Sequence, residues 1–347
     1  MNFGLFFYCQ GRGIPHDQAY QELLEQIELG EQLGFTETWF VEHHFTDYSL
    51  LPSPNLIIAS AVQRTTHMRF GNYINVLPIH HPLRLAAEAA MLDNLARGRF
   101  DFGIGKGVRP GEFAKFEVDF ADAPAMTDEA IEIIVKAWTE ERFSYEGKFW
   151  RIEDAMLRPR SFQKPHPPIH MVATHKPTVE KVGANGWPVA LHFTPIQELP
   201  AAIEAYRAAV PSGVPSDGPF RPRFVVCREL FVAESEAEAR DKARLAVQGF
   251  WHLSNLLPPP PPPDFSDERL TQLTTRVLGG KTFAEIEEAG IVLAGTPDQV
   301  AEKVRRLEAI GVDTLLVLAS YGTLMHEETC RSMELFAEAV MRSAAAV

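Results

Sequence analysis

Trp39-Phe40-Val41-Glu42-His43-His44-Phe45 is an apolar run that ends abruptly in a carboxylate and two adjacent imidazoles. Successive residues of a strand point to opposite faces, so Glu42 and His44 share one face and His43 takes the other. Two readings compete. In one, a strand end enters a loop and the histidines are exposed or bonded to their neighbours. In the other, an active-site histidine stands at the C-terminal end of a parallel strand, where α/β barrels place their chemistry. The surrounding chain decides between them.

Upstream, Phe3 to Tyr8 is short, apolar and rich in aromatics, as a buried strand is. After the loop Gln10–Pro15, Asp17 opens an amphipathic helix through Leu23, Leu24, Ile27 and Leu33 that stops at Gly34. Thr36 to Val41 is the second strand. Downstream, the spacing predicts a helix over 54–63, a strand over 68–76, a helix over 83–95 and a strand over 99–104. Gly105-Lys106-Gly107 and a long loop follow, then a helix over 126–139. The rhythm resumes with strands over 169–173, 188–193, 223–232 and 314–318, and helices over 178–185, 196–209, 235–248, 297–310 and 327–341. Strand–helix units of roughly 30 residues imply parallel strands joined by right-handed crossovers. Eight strands and about eight long helices favour a closed (β/α)8 TIM barrel over an open sheet. No dinucleotide fingerprint follows the first strand, which weakens the doubly wound alternative.

Two stretches break the rhythm. Phe143 to Pro168 contains a plausible hairpin around Tyr145–Trp150. Residues 250–292, after the seventh strand, contain six consecutive prolines, Pro258–Pro263. A proline run has no backbone donors and cannot be barrel wall. This excursion is either a lid or a solvent loop. The expected organisation is one barrel domain over 1–347 with the 250–292 insertion inside it.

Composition narrows the partners. Hydrophobic residues make up 46% of the 347, ample for a large core, and the formal charge is −13 with a pI near 5.4. That argues against nucleic acid or an anionic membrane as partner. Three scattered cysteines, Cys9, Cys227 and Cys330, suggest neither a disulfide framework nor a zinc site. The start lacks a basic leader region, and no apolar run approaches the roughly 18 residues of a membrane span. A cytoplasmic enzyme is expected.

With every strand's C-terminal end on one face, the mouth collects Tyr8, Glu42, His43, His44, Tyr73, Ile74, Lys106, Thr174, His175, His192 and Phe193, with Trp251 beyond the seventh strand and its helix. Such a pocket suits a flat, aromatic, anionic ligand. The Gly105-Lys106-Gly107 turn lets backbone approach a ligand. Thr178 reads as a helix start, where free N–H groups can hold phosphate or simply form an ordinary cap. Metal binding is less attractive: His166 and His170 are separated by Pro167-Pro168, and no Cys/His set has zinc spacing.

Taken together, the residues resemble the bacterial luciferase-like flavin-dependent monooxygenases, of the luciferase alpha type. Gly34–Trp39 leading into Glu42-His43-His44-Phe45 is similar to that family's second strand almost residue for residue. Asn2-Phe3-Gly4, Val76-Leu77-Pro78 with His81-Pro82, Gly98-Arg99-Phe100, Gly103–Gly107 and Gly295-Thr296-Pro297 extend the likeness over essentially the whole chain. The resemblance implies a TIM barrel binding reduced FMN, which reacts with O₂ to a flavin hydroperoxide that oxygenates a small, apolar or aromatic organic substrate. A separate flavin reductase would supply the reduced FMN. It implies His44 as the catalytic residue. Glu42, Tyr73, Ile74, Lys106, Val108, Thr174, His175 and Thr178 would bind the cofactor, with Tyr73-Ile74 matching a pair joined by a non-prolyl cis peptide. Tyr8, His192, Phe193 and Trp251 would meet the substrate. Lys106 stands where luciferase has an arginine, Thr174 where it has a glutamate, and Gly105 where it has a reactive cysteine. A homodimer through residues near 55–64 and 83–95 is also implied. Two rivals share the barrel: a deazaflavin-dependent hydride-transferring oxidoreductase, and a non-catalytic flavin-binding protein.

Overall fold

The computed structural model describes residues 1–254 and 266–341, so the proline run Pro258–Pro263 lies outside the described residues. The strands are β1 (Asn2–Phe7), β2 (Glu37–Phe40), β3 (Arg69–Asn72), β4 (Asn75–Val76), β5 (Phe100–Gly105), β6 (Phe143–Glu146), β7 (Arg151–Ala155), β8 (Ile169–Val172), β9 (Val189–Leu191), β10 (Phe224–Val232), β11 (Val292–Gly295) and β12 (Thr314–Leu318). The helices are α1 (His16–Leu33), α2 (Pro54–Ala61), α3 (Pro82–Leu95), α4 (Pro110–Lys115), α5 (Ala123–Thr139), α6 (Lys176–Ala184), α7 (Leu199–Ala209), α8 (Glu236–Ser254), α9 (Asp267–Leu278), α10 (Phe283–Glu288), α11 (Pro297–Ala309) and α12 (His326–Phe336).

Strands β1, β2, β3, β5, β8, β9, β10 and β12 hydrogen-bond in that order, and β12 returns to β1. The ladders β1–β12, β3–β5, β5–β8, β9–β10 and β10–β12 are parallel. This is the closed (β/α)8 barrel that the strand–helix rhythm predicts. Parallel strands are covered on both faces, and β10 shows why its sequence is apolar: all nine of its residues are buried.

The departures are local. The expected third strand is interrupted between β3 and β4 at Tyr73-Ile74. The hairpin is present as antiparallel β6 and β7. The excursion after β10 contains more regular structure than composition suggests. Helix α8 runs on to Ser254, which places Trp251 and His252 within it. Helix α9 starts on a Ser266 cap that accepts from the Arg269 N–H, and ends at Gly279 with φ of 71°. Helix α10 opens on a Thr282–Glu285 capping box. Strand β11 pairs with the second half of β10, from Glu229↔Val292 to Val232↔Gly295. The first half of β10 pairs with β9 instead.

The chain divides into two compact units. The first comprises Met1–Trp39, Thr46–Leu50 and Ala173–Val347. In it, Arg223, the residue before β10, donates to Glu37 Oε1 at 2.7 Å, and Trp39 Nε1 donates to Glu37 Oε2 at 2.7 Å. Strands β12 and β1 lie between β10 and β2 in the sheet order, so this ion pair crosses the barrel interior. Gly4 lies over it; a Cβ there would come 2.6 Å from the Glu37 side chain. The second unit comprises Phe40–Phe45 and Leu51–Val172. There Arg69 forks onto Asp101 at 2.9 and 2.6 Å, and Asp93 accepts from the Gln163 backbone and side chain at 2.8 and 2.7 Å.

Candidate active site

Glu42 is the centre of a hydrogen-bonded set in the second unit, its side chain fully buried. Its Oε1 accepts from His44 Nε2 at 2.8 Å and from His80 Nε2 at 2.7 Å. Its Oε2 accepts the Val76 N–H at 2.8 Å. Burial alone would push the carboxyl up. The bonds from His44 and His80, the charge on His80 and the Val76 N–H outweigh it, and the group lies below the usual carboxylate range. An ionised carboxylate only accepts, so both imidazoles carry their proton on Nε2. Burial would push His80 down, but its bond to Glu42 and the charges of Glu42 and Glu88 raise it above the usual histidine range. The expected pairing of Glu42 with His44 on one face is observed. His80 was missed: in sequence it is one of two adjacent histidines before a proline, and nothing local marks its partner 38 residues away.

His43 belongs to a second pair. Its Nδ1 lies 3.0 Å from Glu112 Oε1, which also accepts the His44 backbone N–H at 3.3 Å. Burial lowers the His43 pKa below the ordinary value despite the opposing pull of Glu112. Alternation from Glu37, which faces the barrel interior, puts Trp39, Val41 and His43 on that side of the extended chain. Glu112 lies on the six-residue helix α4, which the sequence hid inside a long loop. Phe116 places its ring edge-on to His44, with centroids 4.8 Å apart.

The pKa directions have a sign that can be measured. Glu42, held low, contributes stability above about pH 4.3 that is lost as pH falls through its folded value. His80, held high, contributes stability that is full below about pH 6.5 and is lost as pH rises through its folded value. His43, held low, is penalised by protonation on the acid side in wild type and variant alike. The Tm advantage of wild type over His80→Gln should therefore be largest near about pH 6 and shrink toward about pH 9. A thermal-shift series in matched buffers checks this; a difference independent of pH would rule out the charged His80–Glu42 pair.

The remaining cofactor candidates have these settings. The Tyr73–Ile74 peptide bond is cis, as the resemblance implies. Tyr73 OH lies 2.9 Å from His170 Nδ1. Gly105 is packed so tightly that a Cβ would lie 2.4 Å from the Ile74 Cδ1. Lys106 is exposed, with Nζ 5.2 Å from the Phe120 ring centroid, and Val108 is 59% exposed. Thr174 and His175 are exposed. Helix α6 starts at Lys176, two residues earlier than expected, with His175 as its extended cap and no side-chain capping bond. Thr178 therefore sits inside the first turn, its N–H bonded to the His175 carbonyl at 3.0 Å.

In the first unit, Tyr8, His192, Phe193 and Trp251 come together as a ring cluster. His192 stacks on Phe193 with centroids 3.5 Å apart, and Phe193 meets Trp251 at 5.0 Å. Phe6 and Phe250 complete it around Tyr8, at 5.3 and 5.2 Å. Glu229 of β10, which sequence reasoning passed over, lies 3.5 Å from His192 Nε2 through its Oε1. A carboxylate inside the apolar run Phe224–Val232 was the available signal. Among the described residues no cluster of three or more His, Cys, Asp or Glu side chains could hold a metal. No helix among them is long and apolar enough to cross a membrane.

The family model for luciferase-like monooxygenases fits residues 1–314, and the chain belongs to that family. The flavin-dependent trigonelline monooxygenase, oxygenase component, of Acinetobacter baylyi is 29% identical over 248 residues, 69% of this chain and 67% of that protein. A Sinorhizobium fredii protein, y4vJ, is 36% identical over 197 residues, which span 55% of this chain and 56% of that protein. Among solved structures, monooxygenase RslO1 of Streptomyces bottropensis aligns with a TM-score of 0.84 at 29% identity, covering 99% of this chain and 100% of that one. Two more distant structures share the fold. One is the oxygenating constituent of 3,6-diketocamphane monooxygenase from Pseudomonas putida in complex with FMN (TM-score 0.76, 22% identity, 97% of each chain). The other is a coenzyme F420 dependent tetrahydromethanopterin reductase from Methanopyrus kandleri (TM-score 0.71, 19% identity, 99% of each chain).

Proposed function

We propose that this chain is the oxygenase component of a two-component flavin monooxygenase. Reduced FMN from a separate flavin reductase would supply, when bound, the two electrons by which one atom of O₂ enters a small organic substrate and the other leaves as water. The observation that carries the reading is the buried Glu42 carboxylate that holds His44 on one side and His80 on the other. A buried carboxylate that accepts three hydrogen bonds orients the groups that donate them. Here it fixes the His44 tautomer, leaving Nδ1 as the atom that accepts or returns a proton. His80, 31% exposed, links the same carboxylate to solvent.

The residues suit a flavin phosphate. In the first unit, Thr174, His175 and the first turn of α6, whose N–H groups have no side-chain cap, are proposed to receive it, and in the second unit the exposed Lys106 is proposed to supply a positive charge. Lysine supplies the charge without the bidentate fork of arginine. Glu42, Tyr73, Ile74 and Val108 are proposed to line the ring system, and Tyr8, His192, Phe193 and Trp251 to receive the substrate. His43 is the second candidate for proton handling, because alternation turns it to the barrel interior. The proposed homodimer uses α2 and α3, which expose Leu56, Met91 and Leu95.

Hydride transfer on a deazaflavin is the second reading, favoured by the fold shared with the F420-dependent reductase. Anaerobic titration with reduced and oxidised FMN and with F420, followed by oxygen uptake on a substrate panel, separates the two. Saturable FMN binding with substrate-dependent oxygen uptake is expected. F420 binding without oxygen uptake would replace the proposal with the second reading.

A further inference from the structure

We propose that Glu229 and His192 form the polar end of an aromatic box, and that the box takes a flat aromatic substrate carrying a proton donor, a phenol-type O–H or a ring N–H. The inference rests on the monooxygenase reading and names the substrate class for it.

Glu229 is 2% exposed, and its Oε2 has no hydrogen-bond partner among the described residues. Its Oε1 has only the His192 Nε2 contact at 3.5 Å, and that nitrogen too lacks a hydrogen bond there. The Tyr321 hydroxyl, fully buried, is a third polar atom in the same condition. Leaving a buried polar atom unsatisfied is unfavourable, more so for a charged group. Such an atom calls for a partner, and a ligand group is one that can supply it.

The neighbours do not complete Glu229. Arg228 is next in sequence, but a strand turns adjacent side chains to opposite faces. Its guanidinium donates from its two terminal nitrogens to the Cys227 and Thr194 carbonyls at 2.9 and 2.7 Å, and the Glu229 charge acts on it without a hydrogen bond. Burial, followed by the Tyr48 contacts and the Glu229 charge, pushes Tyr8 well above the ordinary phenol range. Burial and the Glu229 charge do the same to Tyr321. Both hydroxyls therefore stay protonated.

The chemistry of the missing partner follows. A carboxylate only accepts hydrogen bonds, so the complementary ligand atom must donate one. The walls are rings, and the stacked His192 and Phe193, 20° from parallel, present a flat surface to a flat ligand. A ligand carboxylate is excluded, because it would meet Glu229 at close range in a buried setting.

The test is binding to the full-length protein, followed by calorimetry, without turnover. The probes are 4-methylphenol against 4-methylanisole, indole against N-methylindole, and 4-methylbenzoate. At least one donor is expected to bind about tenfold or more tighter than its methylated partner, the worth of one hydrogen bond to a charged group. The benzoate is expected not to bind. Glu229→Leu should abolish the preference, and a cooperative thermal transition shows that the variant is folded. Equal affinity within both pairs, or a preference that survives Glu229→Leu, overturns the proposal. FMN titration of the same wild-type sample is read separately. Donor preference without FMN binding would defeat the flavin reading alone, and FMN binding without donor preference would defeat this inference alone.

Discussion

His44→Ala is expected to lower product formation by about 10²- to 10⁴-fold, the usual range for a positioned acid or base, while flavin binding persists. The variant should fold. The His44 ring makes one hydrogen bond, to Glu42, and the backbone bond from His44 N–H to Glu112 survives the substitution. Glu42 keeps His80 and the Val76 N–H, so removing the ring does not orphan the buried carboxylate. Product yield per reduced flavin, measured beside the flavin dissociation constant, is the readout. Wild-type yield in His44→Ala would remove this residue from the mechanism. The same measurement on His43→Ala decides between the two histidines: His43 keeps its pairing to Glu112 and the interior-facing position, so a loss confined to that variant would transfer the role to it.

Arg223→Ala should destabilise the fold by about 3–5 kcal/mol, the typical result of breaking one half of a buried ion pair. Arg223 and Glu37 side chains are 8% and 3% exposed. After truncation, Glu37 would keep its Trp39 partner but lose the opposing charge. Urea unfolding with a common m-value gives the difference. The double change Arg223→Met with Glu37→Gln should recover part of the loss, since it removes the unpaired charge while the amide oxygen can still accept from Trp39 Nε1. A single variant within about 0.5 kcal/mol of wild type would mean that water reaches the pair.

The barrel was legible because parallel strands buried on both faces read as short apolar runs, and crossover helices as amphipathic stretches with Gly34 or Gly98 at their ends. What escaped was governed by distance in sequence or by shortness. His80 and Glu112 reach the Glu42–His43–His44 segment from 38 and 69 residues away, and no local pattern encodes those encounters. Strand β11 has four residues, two of them Ala and Gly, too few to show a period. Helices α9 and α10 carried clear cap signals in Ser266, Gly279 and Thr282–Glu285, but the neighbouring prolines drew the whole stretch into one irregular excursion. The ring cluster around Tyr8 was anticipated by placing strand ends on a common face. Its acidic member was not, because Glu229 sits within an apolar strand rather than past its end.

Strand β10 serves two neighbours in turn, β9 along its first residues and β11 along its last. The chain between α8 and β11 thus leaves from a helix and returns onto a ladder of its own, without contributing a stave to the eight-strand ring. Closing a longer segment between fixed ends costs entropy only logarithmically in its length. That stretch is therefore a cassette. Its length can change while the ring's hydrogen-bond register stays the same, whereas its last helix is held in place by the buried Phe283 and Ile286 and by the Ile196 N–H bond to the Ala289 carbonyl.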